Sequence, residues 1–351
     1  MAPSVRCLCV ILLVLSPALA FATRCEIGGV EVNTDNGATT AGKTGLLKCY
    51  RPDGSLWREQ ELRDGEYIGL DKRYDEDGSV HERRINAQGN TQGVAREFHP
   101  NGKLKSEGEY DNGRPVGVTR SYFPDGHVQA LRYYEKAGTS AAVTLEYNAD
   151  GSLKDLRCGK RSFLAEDKTP CGFVGESTVE LHDMKGRLVE RRVYRQGEVQ
   201  RIEQFGRDGR LAASVETTAQ GRIERTYHPD GKPAQEVVIR DGWKVSTTEW
   251  YMNGKVRSRT TREPVEREAR TVVDQYRDDG TPAYHEESIG ERRVQSRKFA
   301  AGGVLEEEAD YAPEGYLATR RKYAPDGRVV AEESFYPDGS HRAGPRIGGA
   351  P

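Results

Sequence analysis

FHPNGKLKSEGEYDNGRPVGVTRSYFPDG, running from Phe98 to Gly126, is the stretch that most of the chain repeats with errors. Phe98 leads into His-Pro-Asn-Gly102, and 24 positions on, Tyr122 leads into Phe-Pro-Asp-Gly126. Proline presets φ at the first central position of a tight turn, Asn or Asp suits the second, and glycine takes the left-handed position that follows. Midway, Tyr110 leads into Asp-Asn-Gly113, a second turn signal. Between turns the pattern has period two: Leu104, Ser106, Gly108 and Tyr110 share one face, and Lys105, Glu107 and Glu109 share the other. One unit of about 24 residues therefore reads as two half-buried strands and two hairpin turns.

Outward from this unit the phrase continues in both directions. Toward the N-terminus and just beyond Gly126, aromatic-led turns stand at Tyr50 with Gly54, Tyr74 with Gly78, Phe98 with Gly102, Tyr122 with Gly126 and Tyr147 with Gly151, the aromatics spaced 24, 24, 24 and 25 apart. Half-unit turns show at Asp64-Gly65, Gln88-Gly89 and Asn112-Gly113. A looser series follows: Phe205 with Gly209, Tyr227 with Gly231, Tyr251 with Gly254, Tyr276 with Gly280, Tyr311 with Gly315 and Tyr323 with Gly327. Half-unit turns recur there at Gln196-Gly197, Asp241-Gly242 and Glu314-Gly315.

The expected fold is all-β, an elongated antiparallel sheet or solenoid of β-hairpins. The expected divisions are a signal peptide (1–22), an N-terminal cap (23–49), a first repeat array (50–151), a cysteine-bounded insertion (152–175), a second array (176–340) and a disordered tail (341–351).

The first 22 residues carry Arg6, an apolar run from Leu8 to Leu15, Pro17 and then Ala20-Phe21-Ala22. A short basic region, an apolar core too short to span a bilayer and a small-x-small site describe a secretory signal peptide, so the expected location is the periplasm or the extracellular space. Cleavage leaves Cys25, Cys49, Cys158 and Cys171, which in an exported chain favour disulfides over metal or catalysis. Four cysteines allow three connectivities. The sequence-local one, Cys25 with Cys49 and Cys158 with Cys171, closes the two loops that lack the repeat phrase, each worth roughly 3 kcal/mol in the chain-entropy model.

Composition narrows the function. The formal net charge is −2, which disfavours nucleic acid as a partner, and without a basic cluster an anionic lipid surface is not favoured either. Hydrophobic residues make up 35% of the chain, charged residues 31%, and there are 39 glycines, poor material for one thick core but enough for a thin repeated one. GATTAGKT, from Gly37 to Thr44, matches the phosphate-loop pattern, but that mechanism needs a strand before and a helix after it. Here Gly45 and Pro52 follow, so a polar loop is expected and no nucleotide or other cofactor. The histidines do not cluster, and His99 and His228 occupy one turn position of the repeat. Glu59, Glu107, Glu236, Glu308 and Glu332 all stand five positions after a turn glycine, and read as a solvated ladder facing basic neighbours rather than as general acids. No enzyme is expected.

Binding to another protein is the expected activity. Trp57, Tyr133 and Trp250 each stand beside another large apolar residue, so one of each pair points to the charged face, where aromatics mark interfaces. A sheet with both faces partly buried would explain the same pattern. Arg161 and Phe163, in the insertion, are further candidates, since insertions in arrays map to loops on one face. Trp243 is expected exposed at an edge.

Phrases such as GKLKSEGEYDNGRPVGVTRSYFPDG resemble the MORN-repeat variant as found in the YwqK-like bacterial antitoxin family, over most of the chain after the signal peptide. The resemblance implies hairpins laid side by side and a protein that neutralises a toxin by binding it. The signal peptide, the cysteines and the decayed repeats around Thr217 and Pro264 depart from that pattern. YDEDGSVHERR, YNADGSLKDLR and YAPDGRVVAEES are also similar to the YD repeats of Rhs-type toxins, but those have a shorter spacing, and the 24-residue period with half-unit glycines favours the first resemblance.

Overall fold

The computed structural model describes residues 23–342, so the expected signal peptide and all but the start of the expected tail lie outside the described residues. The chain forms two compact units, one ending at Ala142 and one starting at Val143. Each is built of antiparallel hairpins in sequence order, the all-β repeat architecture that the turn spacing implies.

In the first unit, strand Arg24–Ile27 lies between Val30–Val32 and Gly45–Tyr50, after which every strand pairs with the next in the chain as far as Val128–Tyr134. Cys25 and Cys49 face each other across the ladder and form a disulfide. They centre a buried cluster with Val32, Leu47 and Leu62, on which Ile27, Trp57 and Tyr67 pack. The region expected to be a cap is thus part of the sheet, and it holds the densest apolar packing of this unit.

In the second unit, hairpin Val143–Tyr147 with Leu153–Arg157 precedes a disulfide-closed segment with one helical turn, Ala165–Lys168. Strand pairing then runs without interruption from Ser177–His182 to His341–Arg342. The ladder reaches Arg157, so the irregular segment begins at Cys158 rather than at 152: Gly151-Ser152-Leu153 repeats the phrase that starts every other strand after a main turn.

The main turns share one geometry. Gly54 N–H donates to Arg51 O (2.9 Å) and Arg51 N–H to Ser55 O (2.8 Å), with Gly54 at φ +84°. This is a type I turn followed by a left-handed glycine, and the bulge it makes is the register shift between Cys49 and Tyr50 against Leu56. The far ends of the strands are joined by two-residue loops with both central residues left-handed, such as Asp64-Gly65 and Asn112-Gly113. Gln88-Gly89 and Glu314-Gly315 differ: each ends a four-residue turn of the main type, closed by Gly89 N–H to Asn86 O (2.9 Å) and Gly315 N–H to Ala312 O (2.8 Å). From Ala300 onward all the turns are of this type.

Burial explains how thin the architecture is. Beyond Tyr194, the buried hydrophobic side chains among the described residues are Val237, Ala309 and Phe335 alone. Strand Pro282–Ile289 is half-buried at every position, and Arg114–Tyr122 at all but the first. Both faces are therefore partly covered by long side chains lying across the strands, and the strict in-out alternation expected from the sequence is blurred.

Two outcomes are expected. Replacing both cysteines of the first disulfide (C25A with C49A) speeds amide exchange in Gly45–Tyr50 by on the order of 100-fold, corresponding to roughly 3 kcal/mol of local stability. Glu266 has φ +54° in the hairpin between Val256–Val265 and Glu268–Tyr276, whereas the loops whose first residue is left-handed Asp64, Asn112, Gln196 or Asp241 put glycine second. Glu266→Gly should raise stability there by about 1 kcal/mol, read from exchange across that hairpin.

Candidate interaction surfaces

Following the register from strand to strand, charged residues line up in a row across each sheet, alternating in sign along the first and over stretches of the second. In the first unit, Glu26, Lys48, Glu59, Lys72, Glu82, Arg96, Glu107 and Arg120 stand directly opposite one another in succession. Contacts along it include Lys48 to Glu59 (3.8 Å), Lys72 to Glu82 (3.4 Å) and Arg96 to Glu107 (3.7 Å). In the second unit the row begins Glu180, Arg191, Glu203, Ser214, Arg225, Glu236, Thr248, Arg259. It ends Asp274, His285, Arg297, Glu308, Arg321, Glu332. Arg191 bridges Glu180 (2.8 Å) and Glu203 (3.0 Å), and Arg321 bridges Glu308 (3.6 Å) and Glu332 (3.0 Å). Where the row lacks a charge, at Ser214 and Thr248, the side chain is buried.

All five glutamates expected to form a ladder lie in these rows, but two are less solvated than the sequence implies. Glu59 and Glu308 side chains are 16% and 15% exposed. The cover is the aromatic leading the next main turn on the same edge: Tyr74 donates its hydroxyl to Glu59 (2.9 Å), Tyr122 to Glu107 (3.4 Å) and Tyr323 to Glu308 (2.9 Å). Tyr284 donates to Glu286 (2.5 Å), and burial together with that carboxylate pushes its phenol up to about 12.

At several main turns the residue after the leading aromatic ties one turn to the next, and at one of them Trp250 rather than Tyr251 leads, with Tyr251 in the following position. His99 Nε2–H donates to Tyr122 O (2.9 Å), His228 Nε2–H to Trp250 O (3.0 Å) and the Tyr251 hydroxyl to Tyr276 O (2.8 Å). Arg51 reaches Tyr74 O and Arg277 reaches Phe299 O in the same way. The histidines are turn residues, as expected, and they also link consecutive units.

On the other face of the first sheet, Asp71 is 1% exposed among three arginines from three strands: Arg58 (3.2 Å), Arg83 (2.9 Å) and Arg73 (3.5 Å). Next to it, a cavity of about 400 Å³ opens where the pairing of Val80–Ile85 with Gly93–Phe98 is shortest, and small Ala95 lines it. Arg73, Arg83, His81, Glu97 and Tyr110 also line it. Its arginines are already paired within the protein, Arg83 (2.9 Å) and Arg73 (3.5 Å) with Asp71 and Arg96 with Glu107 (3.7 Å), and His81 lies between Asp75 (2.8 Å) and Glu97 (3.4 Å).

The sequence candidates do not converge on one place. Trp57 packs on the disulfide cluster, with its buried Nε1 lacking a hydrogen-bond partner among the described residues, so its ring serves the core of the first unit instead of an exposed charged face. Tyr133, opposite Val118, and Trp250, opposite Val256, are half-buried within ladders. Arg161 stacks over Phe163 (4.8 Å) in the disulfide segment. Trp243 is 77% exposed. The Gly37–Thr44 loop holds a three-residue 3₁₀ turn capped by Asn36 and is followed by strand Gly45–Tyr50 where phosphate binding needs a helix, and Thr44 Oγ1 accepts from Asp64 N–H (2.9 Å). Among the described residues no His, Cys, Asp and Glu group could hold a metal ion, and no helix is long and apolar enough to cross a membrane.

The MORN repeat variant family matches residues 91–112, the end of the connection beside the cavity and the two strands that follow. No curated protein matches the chain. Among solved structures it is similar to TcdB2-TccC3-TEV, at 10% identity and TM-score 0.19 over 84% of this chain and 18% of that one. It is likewise similar to TcdB2-TccC3-Cdc42, at 13% identity and TM-score 0.18 over 82% and 20%. The chain spans about a fifth of the length of those proteins.

Burial tends to raise the Asp71 carboxyl, but the Arg83 hydrogen bonds and the three arginine charges outweigh it and hold the group below its usual 3.8. Its contribution to stability is therefore complete above pH 3.8 and lost as pH falls through its lower folded value. Asp71→Asn should destabilise the first unit by about 3 kcal/mol at neutral pH, since three guanidinium groups lose their counter-charge. Acid titrations of unfolding should show that the variant lacks this part of the loss.

Proposed function

We propose that this chain is an exported, non-enzymatic repeat protein that binds another protein, as an immunity or antitoxin-type inhibitor of a toxin directed at the cell envelope. The observation that carries the reading is the pair of open sheets with both faces half-covered: long surfaces of side chains, held in place by ladders, suit a partner that lies across several repeats. The signal-like N-terminus and the two disulfides support export, and the MORN repeat variant together with the likeness of its phrases to YwqK-like antitoxins supports a toxin as partner.

A second reading has its own support. The cavity above Ala95, polar and with its arginines already paired, suits an uncharged, hydroxyl-rich ligand, as a structural envelope protein touching glycan would require. Purification of the tagged protein from its native envelope, with mass spectrometry of what stays bound, decides between them. One stoichiometric toxin-like protein is the expected result. Recovery of glycan or lipid-associated components alone would overturn the inhibitor reading.

A further inference from the structure

The two ends of the second sheet are finished differently. At its first strand, Ser177–His182, the backbone is sealed from within the unit: Asn148 Nδ2–H donates to His182 O (3.0 Å). The neighbouring hairpin edge is sealed too, Leu156 O accepting from Arg192 (2.7 Å) and the Tyr194 hydroxyl (3.2 Å). The Cys158–Cys171 segment covers the same end, accepting Gln196 N–H at Gly172 O (3.0 Å) and Gly197 N–H at Cys171 O (2.8 Å).

The far end lacks such a cover among the described residues. Strand Val329–Phe335 is paired on its outer side by two residues only, Arg342 opposite Ser334 and His341 opposite Phe335. From Val329 to Glu333 its outer edge has no partner among the described residues, with Val329 38% and Val330 56% exposed. An open edge with exposed β-branched residues is a template for another strand.

The charge row says what that strand carries. Glu332 ends the row on one face, bonded inward to Arg321, and on the other face Glu333 is bonded inward to Arg320 (2.5 Å). Across each interior step of this part of the row an acid is followed by a base, and among the described residues no strand residue stands outward of Glu332 or Glu333 to continue it. We infer that Val329–Glu333 receives an extended segment of a partner protein by strand addition, with two adjacent basic residues opposite Glu332 and Glu333 and β-branched residues beside Val329 and Val330. This deepens the protein-binding reading and rests on it. A second copy joining through its own edge strand Val30–Val32 would bring Glu31 to an acidic edge, which opposes self-pairing.

The test uses two labelled eight-residue peptides with blocked ends, TVTRRVTT and TVTEEVTT, added to the full chain and followed by fluorescence anisotropy. The first should bind at least about fivefold tighter than the second, weaken as salt rises, and slow amide exchange at Val329–Glu333. The double variant E332K with E333K should reverse the order of the two peptides. Val330→Lys, at the bulge position without a cross-strand partner, should weaken TVTRRVTT alone and keeps the test open if the double variant does not fold. Equal binding of both peptides, no binding of TVTRRVTT up to about 1 mM, or protection elsewhere than at this edge would overturn the inference. Because the probe is synthetic, a failed pull-down with peptide binding intact would count against the toxin and leave the edge in place.

Discussion

A sheet one layer thick has no opposing layer to pack on, so the residue across the neighbouring strand must supply what a core would. That constraint orders the rest of the molecule. Cross-strand pairs of opposite charge are worth about 0.2–1 kcal/mol each, little singly, but here they recur at every step of the first row and most of the second, and fall on one line. Their larger effect is on register. A slip of one residue would exchange the faces of a strand, and a slip of two would set Glu308 against a residue other than Arg297 and Arg321. Apolar packing is concentrated where the sheet would otherwise be weakest, at the Cys25–Cys49 cluster and under Tyr194.

The two edges of the ladder divide the remaining labour. Two-residue loops such as Asp64-Gly65 close the strands with minimal chain. The opposite edge uses longer turns with glycine bulges, and these have room to reach one another: Lys103 Nζ donates to Asp125 O (2.7 Å) and Asn101 Nδ2 to Pro124 O (2.7 Å), alongside the His99 bond. Consecutive units are therefore joined by side chains as well as by backbone.

What could be read from the sequence was what is encoded locally. Pro-Asn-Gly102 and Pro-Asp-Gly126 specify their turns within four residues, and the sequence-local cysteine pairing follows from the phrase missing around it. The acids of the rows were visible because they keep a constant distance from a turn glycine. Their basic partners were not, since a one-residue bulge, present at most main turns but not at the one after Tyr74, decides which residue of the returning strand lies opposite. Asp71 was invisible for a related reason: its three arginines come from three strands, and nothing in Asp71-Lys72-Arg73 marks the aspartate as buried. The packing of Trp57 is not legible either, because alternation along its own strand says nothing about the disulfide cluster that the N-terminal hairpin brings to it. The strand Leu153–Arg157 was placed in the insertion although it carries the phrase, because the cysteine that follows drew the boundary too early.

Alternation of charge from one strand to the next has an arithmetic consequence for how such a gene can change length. Removing or duplicating two strands, about 24 residues, returns acid to base at the junction and keeps each turn on its own edge. Removing one strand of the first row would put like charges opposite each other and, in either row, send the chain back along the wrong direction. Length variants of this protein should therefore be counted in pairs of strands, except beyond Ala300, where both edges carry the same four-residue turn and the charge row alone still distinguishes one strand from two.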